Sequence, residues 1–219
     1  MVFNLIALLF VLGFVFIGTK KGFLKELMAM LGLAAALVLS TGKLDFVAEE
    51  VASAIDASPI TVAVISYIIV LGLIYAIFKV IAKILEKRVS VQQLGERDKW
   101  GGAIVGAIRG WLLAGTVIFV TILLPLPRGY FELMDKSMLA TSAAKTIQVI
   151  YDTSQPLHKS WPTFVDKVEE TLMTVPEKKV TDNPKRKVRK SPEKQAKEAL
   201  ALQDALDRVY YFYGEAETF

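Results

Sequence analysis

Two charged side chains lie inside otherwise apolar stretches and are the most chemically informative residues of this sequence. Glu26 stands about one helical turn into the stretch Phe23–Ser40. Arg109 stands about two turns into the stretch Gly101–Leu124. In a bilayer each charge costs at least about 2.5–3.5 kcal/mol at the membrane centre and normally finds a partner or water. Both charges fall near the same membrane face in the topology below, so a Glu26–Arg109 ion pair is one prediction. The alternative is that each side chain separately extends to the membrane surface.

The remaining residue types exclude most kinds of catalytic site. The chain has no cysteine, which rules out disulfides, thiol catalysis and thiolate metal sites. Its one histidine, His158, has no second ligand nearby in sequence, so we interpret it as a surface residue and not a metal ligand. The adjacent carboxylates Glu49-Glu50 and Glu169-Glu170 would point in different directions on a helix. Phosphate-binding loops, nucleophile elbows and zinc-binding helix motifs are missing from the sequence. We therefore expect no enzyme activity, no cofactor and no metal.

Four long apolar stretches fill the first 124 residues and must position the two charges. A transmembrane helix needs about 20 mostly apolar residues, within a working range of about 17–25, and each stretch falls in that range. Short charged gaps separate the stretches, and 53% of the whole chain is hydrophobic. The pattern predicts an all-α, polytopic membrane protein whose C-terminal tail is mostly helical and partly disordered. The four predicted spans are Val2–Gly18, Phe23–Ser40, Ile60–Phe78 and Gly101–Leu124.

Charges in the gaps predict the orientation of the spans. The first gap holds Lys20, Lys21 and Lys25, the gap at 79–100 is also basic, and the gap at 40–59 is acid-rich. Because basic gaps favour the cytoplasmic side, the first and third gaps are predicted inside and both chain termini outside. The lysines follow the first apolar stretch instead of preceding it, so we expect a retained span and not a cleaved signal.

Glycines repeat every four residues at the start of the fourth span. Gly102, Gly106 and Gly110 fall on one helix face, where small residues let two backbones approach closely. A glycine inside a helix costs about 1 kcal/mol relative to alanine, so three in register indicate a close packing partner. We expect that partner to be another span of the same chain. A homo-oligomer formed through this face is the alternative.

A second glycine pair spans the turn between the first two stretches. Gly18 and Gly22 are also four residues apart, and the turn is very short. We therefore expect the first two spans to form a tight antiparallel hairpin. The small residues expected to pack within it are Gly13, Gly32 and Ala36.

The chain after the fourth span is predicted to contain three helices and a linker. Tyr130–Asp152 reads as one amphipathic helix, which we expect to lie at the membrane surface. A second helix is expected after a Ser160 cap and Pro162. Its apolar face comprises Trp161, Phe164, Val165, Val168 and Leu172. The predicted segments are a transmembrane domain at 1–124, amphipathic helices at 125–174, a basic disordered linker at 175–191 and a C-terminal amphipathic helix at 192–213.

The linker and the last helix offer surfaces for partners. Lys185–Lys190 is a basic run without aromatic residues, so we expect it to be solvated, or in contact with lipid headgroups, and not to bind nucleic acid. Ser191-Pro192-Glu193 is a typical helix start. The helix then carries a short heptad seam of Ala199, Leu202, Leu206, Val209 and Tyr213. Two heptads are marginal alone, so residues 192–213 are expected to dock on their own bundle or on a second protein.

Two sequence motifs flank the first turn and the fourth span. One reads Gly18-Thr-Lys-Lys-Gly22-Phe23, and the other runs from Leu94 to Gly102 as Leu-Gly-Glu-Arg-Asp-Lys-Trp-Gly-Gly. Together they resemble the colicin V production protein family, whose members are small bacterial inner-membrane proteins with about four spans. The resemblance covers residues 1–125, and Asn4 departs from the aspartate that family members often carry there. The motif positions are Lys21, Phe23, Gly95, Arg97 and Asp98.

The resemblance implies a location in the bacterial inner membrane and a role in toxin biology. It implies a non-enzymatic accessory protein that supports production or export of a colicin V-like peptide toxin through helix packing and partner recruitment. A small channel or transporter subunit, built by oligomerisation of four-span units, is the alternative. Such a path needs polar lining, although sparse hydroxyls more often bond their own helix backbone. The candidate lining residues are Ser40, Thr61, Ser66, Tyr67, Tyr75 and Thr116.

Overall fold

Every regular element in the described part of the chain is a helix. The computed structural model describes residues 2–55, 57–88, 95–157, 161–181 and 192–214. The α-helices are α1 Val2–Lys21, α2 Phe23–Gly42, α3 Leu44–Ala54, α4 Pro59–Arg88, α5 Glu96–Leu123, α6 Arg128–Asp135, α7 Met138–Thr153, α8 Phe164–Thr181 and α9 Pro192–Tyr213. One 3-10 turn, Gln155–Leu157, follows α7.

Four of these helices are long and apolar enough to cross a membrane. They are α1, α2, α5 and the first 26 residues of α4, Pro59–Ile84. Their boundaries follow local chemistry, since α4 begins at a proline and α5 ends where Leu124 turns extended before Pro125. Among the described residues, the predicted all-α membrane fold with four spans is confirmed.

The spans do not pack in the order that the sequence predicts. α1 lies along α5 in antiparallel fashion, α5 also packs on α2, and α2 packs on α4. The predicted tight hairpin of the first two spans is wrong, because α1 and α2 touch only slightly. A methyl group at Gly13 would meet no neighbour, and one at Gly32 would meet Phe78 of α4. The physical reason is that the glycine-lined face of α5 admits the α1 backbone more closely than α2 does.

The segment predicted as one surface helix, Tyr130–Asp152, forms two helices. The chain leaves α6 at Lys136, and Ser137 adopts an extended conformation before α7 begins. Ser137 and the Leu139 backbone N–H both donate to Asn4 of α1, at 2.5 and 3.1 Å. These two hydrogen bonds fix the break between α6 and α7. α7 is buried against α5 along a face of Ala140, Ala143, Ala144, Ile147 and Tyr151, so it is a packed helix and not a surface one.

Helix α8 buries most of the apolar face predicted for it. Phe164, Val165, Val168 and Leu172 are all buried. Thr163 caps the first turn, because its Oγ1 accepts from the Asp166 backbone N–H at 3.4 Å and donates to Asp166 Oδ2 at 2.6 Å. The helix continues to Thr181, seven residues into the segment 175–191 that was predicted as a disordered linker. The predictions for His158, Ser160, Lys185–Lys190 and Ser191 concern residues outside those that the structure describes.

Helix α9 docks on its own bundle. Leu206, Val209 and Tyr213 of the predicted seam are buried, Leu202 is partly buried and Ala199 is exposed. Arg208 anchors the helix to the end of α5, because its Nε donates to the Ile122 carbonyl at 2.9 Å. The buried apolar side chains of the described residues form one main cluster that runs from the spans into α7, α8 and α9.

Candidate functional site

Glu26 and Arg109 meet inside the bundle, at the level of the first turn of α2. Arg109 Nη1 donates to Glu26 Oε1 at 2.6 Å, and the two residues are 7% and 0% exposed, respectively. Arg109 lies about 12 Å along the helix from Gly101, at about 1.5 Å per residue. Its side chain can still reach Glu26, because helical side chains point towards the N-terminus of their own helix. The sequence places both charges in the membrane, and the structure brings them together.

Arg109 also contacts the two remaining spans. Its Nη2 donates to the hydroxyl of Tyr75 on α4. Its guanidinium carbon lies 4.8 Å from the ring centre of Phe14 on α1, a cation–π distance. All four spans therefore meet at one side chain. We call Glu26, Arg109, Tyr75 and Phe14 the central cluster.

The second oxygen of Glu26 faces a second cation. Lys21 Nζ lies 3.9 Å from Glu26 Oε2, and the Lys21 side chain is about half exposed. The carboxylate is thus held between a buried guanidinium and an ammonium at the end of α1. Removing one partner of a buried ion pair typically costs about 3–5 kcal/mol, since the other charge is left uncompensated. The central cluster consequently braces the four spans.

The glycines of α5 form a seam against α1. A methyl group at Gly102 would collide with the carbonyl of Gly18, and one at Gly106 with the carbonyl of Phe14. At Gly110 it would lie 2.7 Å from the carbonyl oxygen of Phe10. We call Gly18, Gly102, Gly106 and Gly110 the glycine seam. The three glycines of α5 are covered by the backbone of α1, the chain's own first span.

The two sequence motifs meet at the turn between α1 and α2. Gly22 has a φ of 83°, in the left-handed region that favours glycine, and offers α2 no capping side chain. Asp98 of α5 supplies the missing cap, because its Oδ1 accepts from the Phe23 backbone N–H at 2.8 Å. The Phe23 side chain in turn packs on Gly101, where a methyl group would lie 3.0 Å from the ring.

The other motif residues have simpler positions. Gly95 precedes α5 as its N-cap without a capping side chain, and Arg97 is exposed in the first turn. Sequence reasoning missed two contacts that we call cross-caps, in which a side chain of one helix accepts hydrogen bonds at the start of another helix. Asp98 makes one at α2, and Asn4 makes the other at α7. A signal existed for Asp98, since a helix that begins after glycine leaves its first backbone donors without a local acceptor.

The hydroxyls considered as a transport path bond mostly within their own helices. Ser40, Ser66 and Thr116 donate to the backbone carbonyls of Leu37, Val62 and Leu112. Thr61 contacts Ser58, and Tyr75 belongs to the central cluster. Tyr67 is fully buried against Phe119. Three of the six candidate hydroxyls are therefore already engaged by their own helix backbones.

Metal-ligating side chains do not cluster in the described ranges. No group of three or more histidine, cysteine, aspartate or glutamate residues there could hold a metal ion. What the geometry of the central cluster offers is electrostatic bracing between helices.

Comparison with known proteins identifies the family of this chain. No curated protein and no solved structure matches the chain. The family model described as Colicin V production protein matches residues 3–148, which contain the central cluster, the glycine seam and both cross-caps. Because that match spans well over half of the chain, the protein belongs to the colicin V production protein family.

Proposed function

We propose that this chain is a non-enzymatic accessory protein of the bacterial inner membrane that supports production or export of a colicin V-like peptide toxin. Family membership links the chain to colicin V production, and its four apolar helices identify it as a membrane protein. The proposed mechanism is structural. A rigid four-span bundle presents the tail helices to a partner in the toxin pathway.

One observation carries this proposal. The two charges inside the spans, Glu26 and Arg109, are paired with each other and buried. Arg109 is further covered by Phe14 and Tyr75. A reactive or ion-conducting centre needs charged groups that a substrate or ion can reach. Here the charges are used to join helices, which favours a scaffold.

The channel alternative is less well supported. Three of its candidate hydroxyls already bond their own helix backbones, as described above. The glycine seam is occupied by α1, so a homo-oligomer would have to form through other surfaces, such as the lipid-facing sides of α1 and α4. A Gly106→Leu substitution would therefore disrupt the protomer itself and is not a test of oligomerisation.

The outer side of α9 is the surface that we propose for partner recruitment. The inner side is buried in the bundle, but Leu200 and Tyr211 remain 64% and 67% exposed. α9 is anchored at the C-terminal end of α5, opposite the basic gaps. By the positive-inside rule that end faces outside, which suits a protein that assists export.

Complementation of a deletion strain tests the proposal. Leu200→Asp should lower secreted toxin without lowering the amount of membrane-inserted protein, because the substitution changes only the exposed side of α9. Gln203→Asp, at a second exposed position of the same helix, is the matched control and should secrete normally. Normal secretion by the Leu200 variant, or ion flux through liposomes that contain only the purified protein, would refute the accessory role.

Orientation has its own test. The chain has no cysteine, so Gln203→Cys creates a single labelling site on α9. We expect a membrane-impermeant thiol reagent to label intact cells. Labelling only after lysis would place α9 inside and remove the topological support for an export role.

A further inference from the structure

A cleft opens at the end of the bundle opposite the basic gaps. It has a volume of about 550 Å³, within the usual range of small-ligand sites. The C-terminal end of α2, helix α3 and the start of α8 enclose it. Its chemically important lining residues are Lys43, Asp45, Phe46, Trp161, Lys167 and Glu170.

An ion-pair triad around the buried Lys167 forms one part of the cleft. Lys167 is only 5% exposed, and its Nζ lies 2.9 Å from Glu170 Oε2 and 3.4 Å from Asp45 Oδ2. One ammonium faces two carboxylates, so the triad carries a net negative charge. The Asp45 and Glu170 side chains are 37% and 53% exposed, so both can still contact a ligand in the cleft.

A separate positive group lines the same cleft. Lys43 is exposed, and its Nζ lies 5.4 Å from the ring centre of Trp161. Within the described ranges, no carboxylate lies at ion-pair distance from this ammonium. The cleft thus presents the positive charge of Lys43 and the net negative charge of the triad. A zwitterionic ligand requires this charge pattern.

The cleft also lies at the level where the spans end. Gly42 is the last residue of span α2, and Lys43 follows it directly. Trp161 packs over Gly42, where a methyl group would collide with its ring. Phe46 on α3 is 70% exposed. Aromatic residues and snorkelling lysines are typical of the headgroup layer of a bilayer.

We propose that this cleft binds the headgroup of a zwitterionic phospholipid. The phosphate contacts Lys43, the ammonium contacts the carboxylates of Asp45 and Glu170, and an acyl chain lies beside Phe46. The site does not depend on the proposed role in export, and it would tie the tail helix α8 to the outer surface of the membrane.

Native mass spectrometry of the full chain, purified in detergent, tests the site. The probes are phosphatidylethanolamine, which is zwitterionic, and phosphatidylglycerol, which is anionic. We expect selective retention of phosphatidylethanolamine and a decrease of at least about fivefold for Lys43→Glu, since one lysine near a lipid surface contributes about a factor of five. Phe46→Ser should also weaken retention. Lys83→Glu, an exposed lysine at the opposite end of α4, is the control and should retain the lipid.

A photo-crosslinking experiment distinguishes a lipid from a peptide occupant. Benzoylphenylalanine introduced at Phe46 should crosslink to phosphatidylethanolamine in vesicles of that lipid mixed with phosphatidylglycerol. Equal retention of the two lipids, unchanged retention in the Lys43 variant, or crosslinks to polypeptide alone would overturn the proposal. Both substituted side chains are exposed, so unchanged thermal unfolding is expected and verifies that the variants are folded.

Discussion

Adding one methyl group at Gly106 should weaken the membrane bundle, although alanine is the better helix former. Gly106 lies against the carbonyl group of Phe14, and a Cβ there would sit 3.0 Å from that carbonyl carbon and 3.3 Å from the Cα of Gly18. The contacting atoms belong to the backbone of α1 and cannot rotate away. The two helices must therefore separate, which would also loosen the neighbouring contacts of the glycine seam.

Two opposing terms set the magnitude. Replacing glycine by alanine inside a helix gains about 1 kcal/mol of intrinsic propensity. Overpacking a tight site costs about 1–3 kcal/mol. The net effect of Gly106→Ala is thus a loss of about 0–2 kcal/mol in the free energy of unfolding. Gly72→Ala on α4 should gain about 1 kcal/mol, because a methyl group there meets no neighbour within 4 Å.

Reversible unfolding in mixed micelles of a mild detergent and dodecyl sulfate, followed by circular dichroism, measures both variants. The quantity to compare is their difference, since propensity cancels and the steric cost of about 1–3 kcal/mol remains. That difference corresponds to between about 5-fold and 150-fold in the unfolding equilibrium constant. Gly13→Ala, on α1 but also in open space, is a second control and should behave like Gly72→Ala.

Equal stabilities of Gly106→Ala and Gly72→Ala would refute the argument. That result would mean that α1 does not lie on the glycine face of α5. A gain for Gly106→Ala together with a loss for Gly13→Ala would instead mean that α1 and α5 contact each other through different faces.

Four further outcomes are expected from the same unfolding measurement. Glu26→Gln or Arg109→Met should each cost about 3–5 kcal/mol, and the double variant should cost clearly less than the sum, since no charge is then stranded; additive losses would contradict the ion pair. Asp98→Ala should cost about 1 kcal/mol through loss of the cap on α2, whereas Asp98→Asn keeps an acceptor oxygen and should cost less. Asn4→Ala should cost a similar amount, and Asn4→Asp should be tolerated, because its carboxylate can accept the same two bonds; equal effects would exclude these two hydrogen bonds. Burial, aided by nearby carboxylates, raises the pKa of Tyr151 from 10.0 to about 12. The folded state therefore holds this proton more tightly than the unfolded state, so stability should fall between pH 10 and 12, and Tyr151→Phe should reduce that fall.

The four membrane-spanning helices could be predicted because lipid imposes a simple rule on sequence. Each span must satisfy its backbone internally and remain apolar over about 20 residues, which leaves a visible pattern. The partner of each span could not be predicted in the same way. Gly102 and Gly106 indicate that some backbone approaches α5, but the hairpin expectation assigned α1 to α2. Adjacency in sequence did not predict which span packs on α1, since the glycine face of α5 lets that helix approach α1 more closely than α2 does.

The site residues show a similar division. Glu26 and Arg109 stand out in sequence because a charge is costly in hydrocarbon, and that same cost suggests that they seek each other. Tyr75 and Phe14 carry no such signal, since aromatic residues are ordinary in spans. The break at Ser137 depends on Asn4, which lies 133 residues earlier, and amphipathic periodicity alone continues through it. Composition alone predicts a linker from residue 175, but α8 continues to Thr181.

The cap that Asp98 places on α2 has a consequence for biogenesis. Asp98 and Phe23 are 75 positions apart in the sequence. The ribosome therefore makes the first two spans well before it makes the residue that caps α2. At about 5–20 residues per second, a ribosome needs about 4–15 seconds to cover that distance. During this interval α1 also lacks α5, the helix on which it finally rests. The nascent chain must therefore wait in the insertion machinery or in lipid as a loosely packed intermediate. Synthesis of α5 then allows all four spans to pack together in one late step.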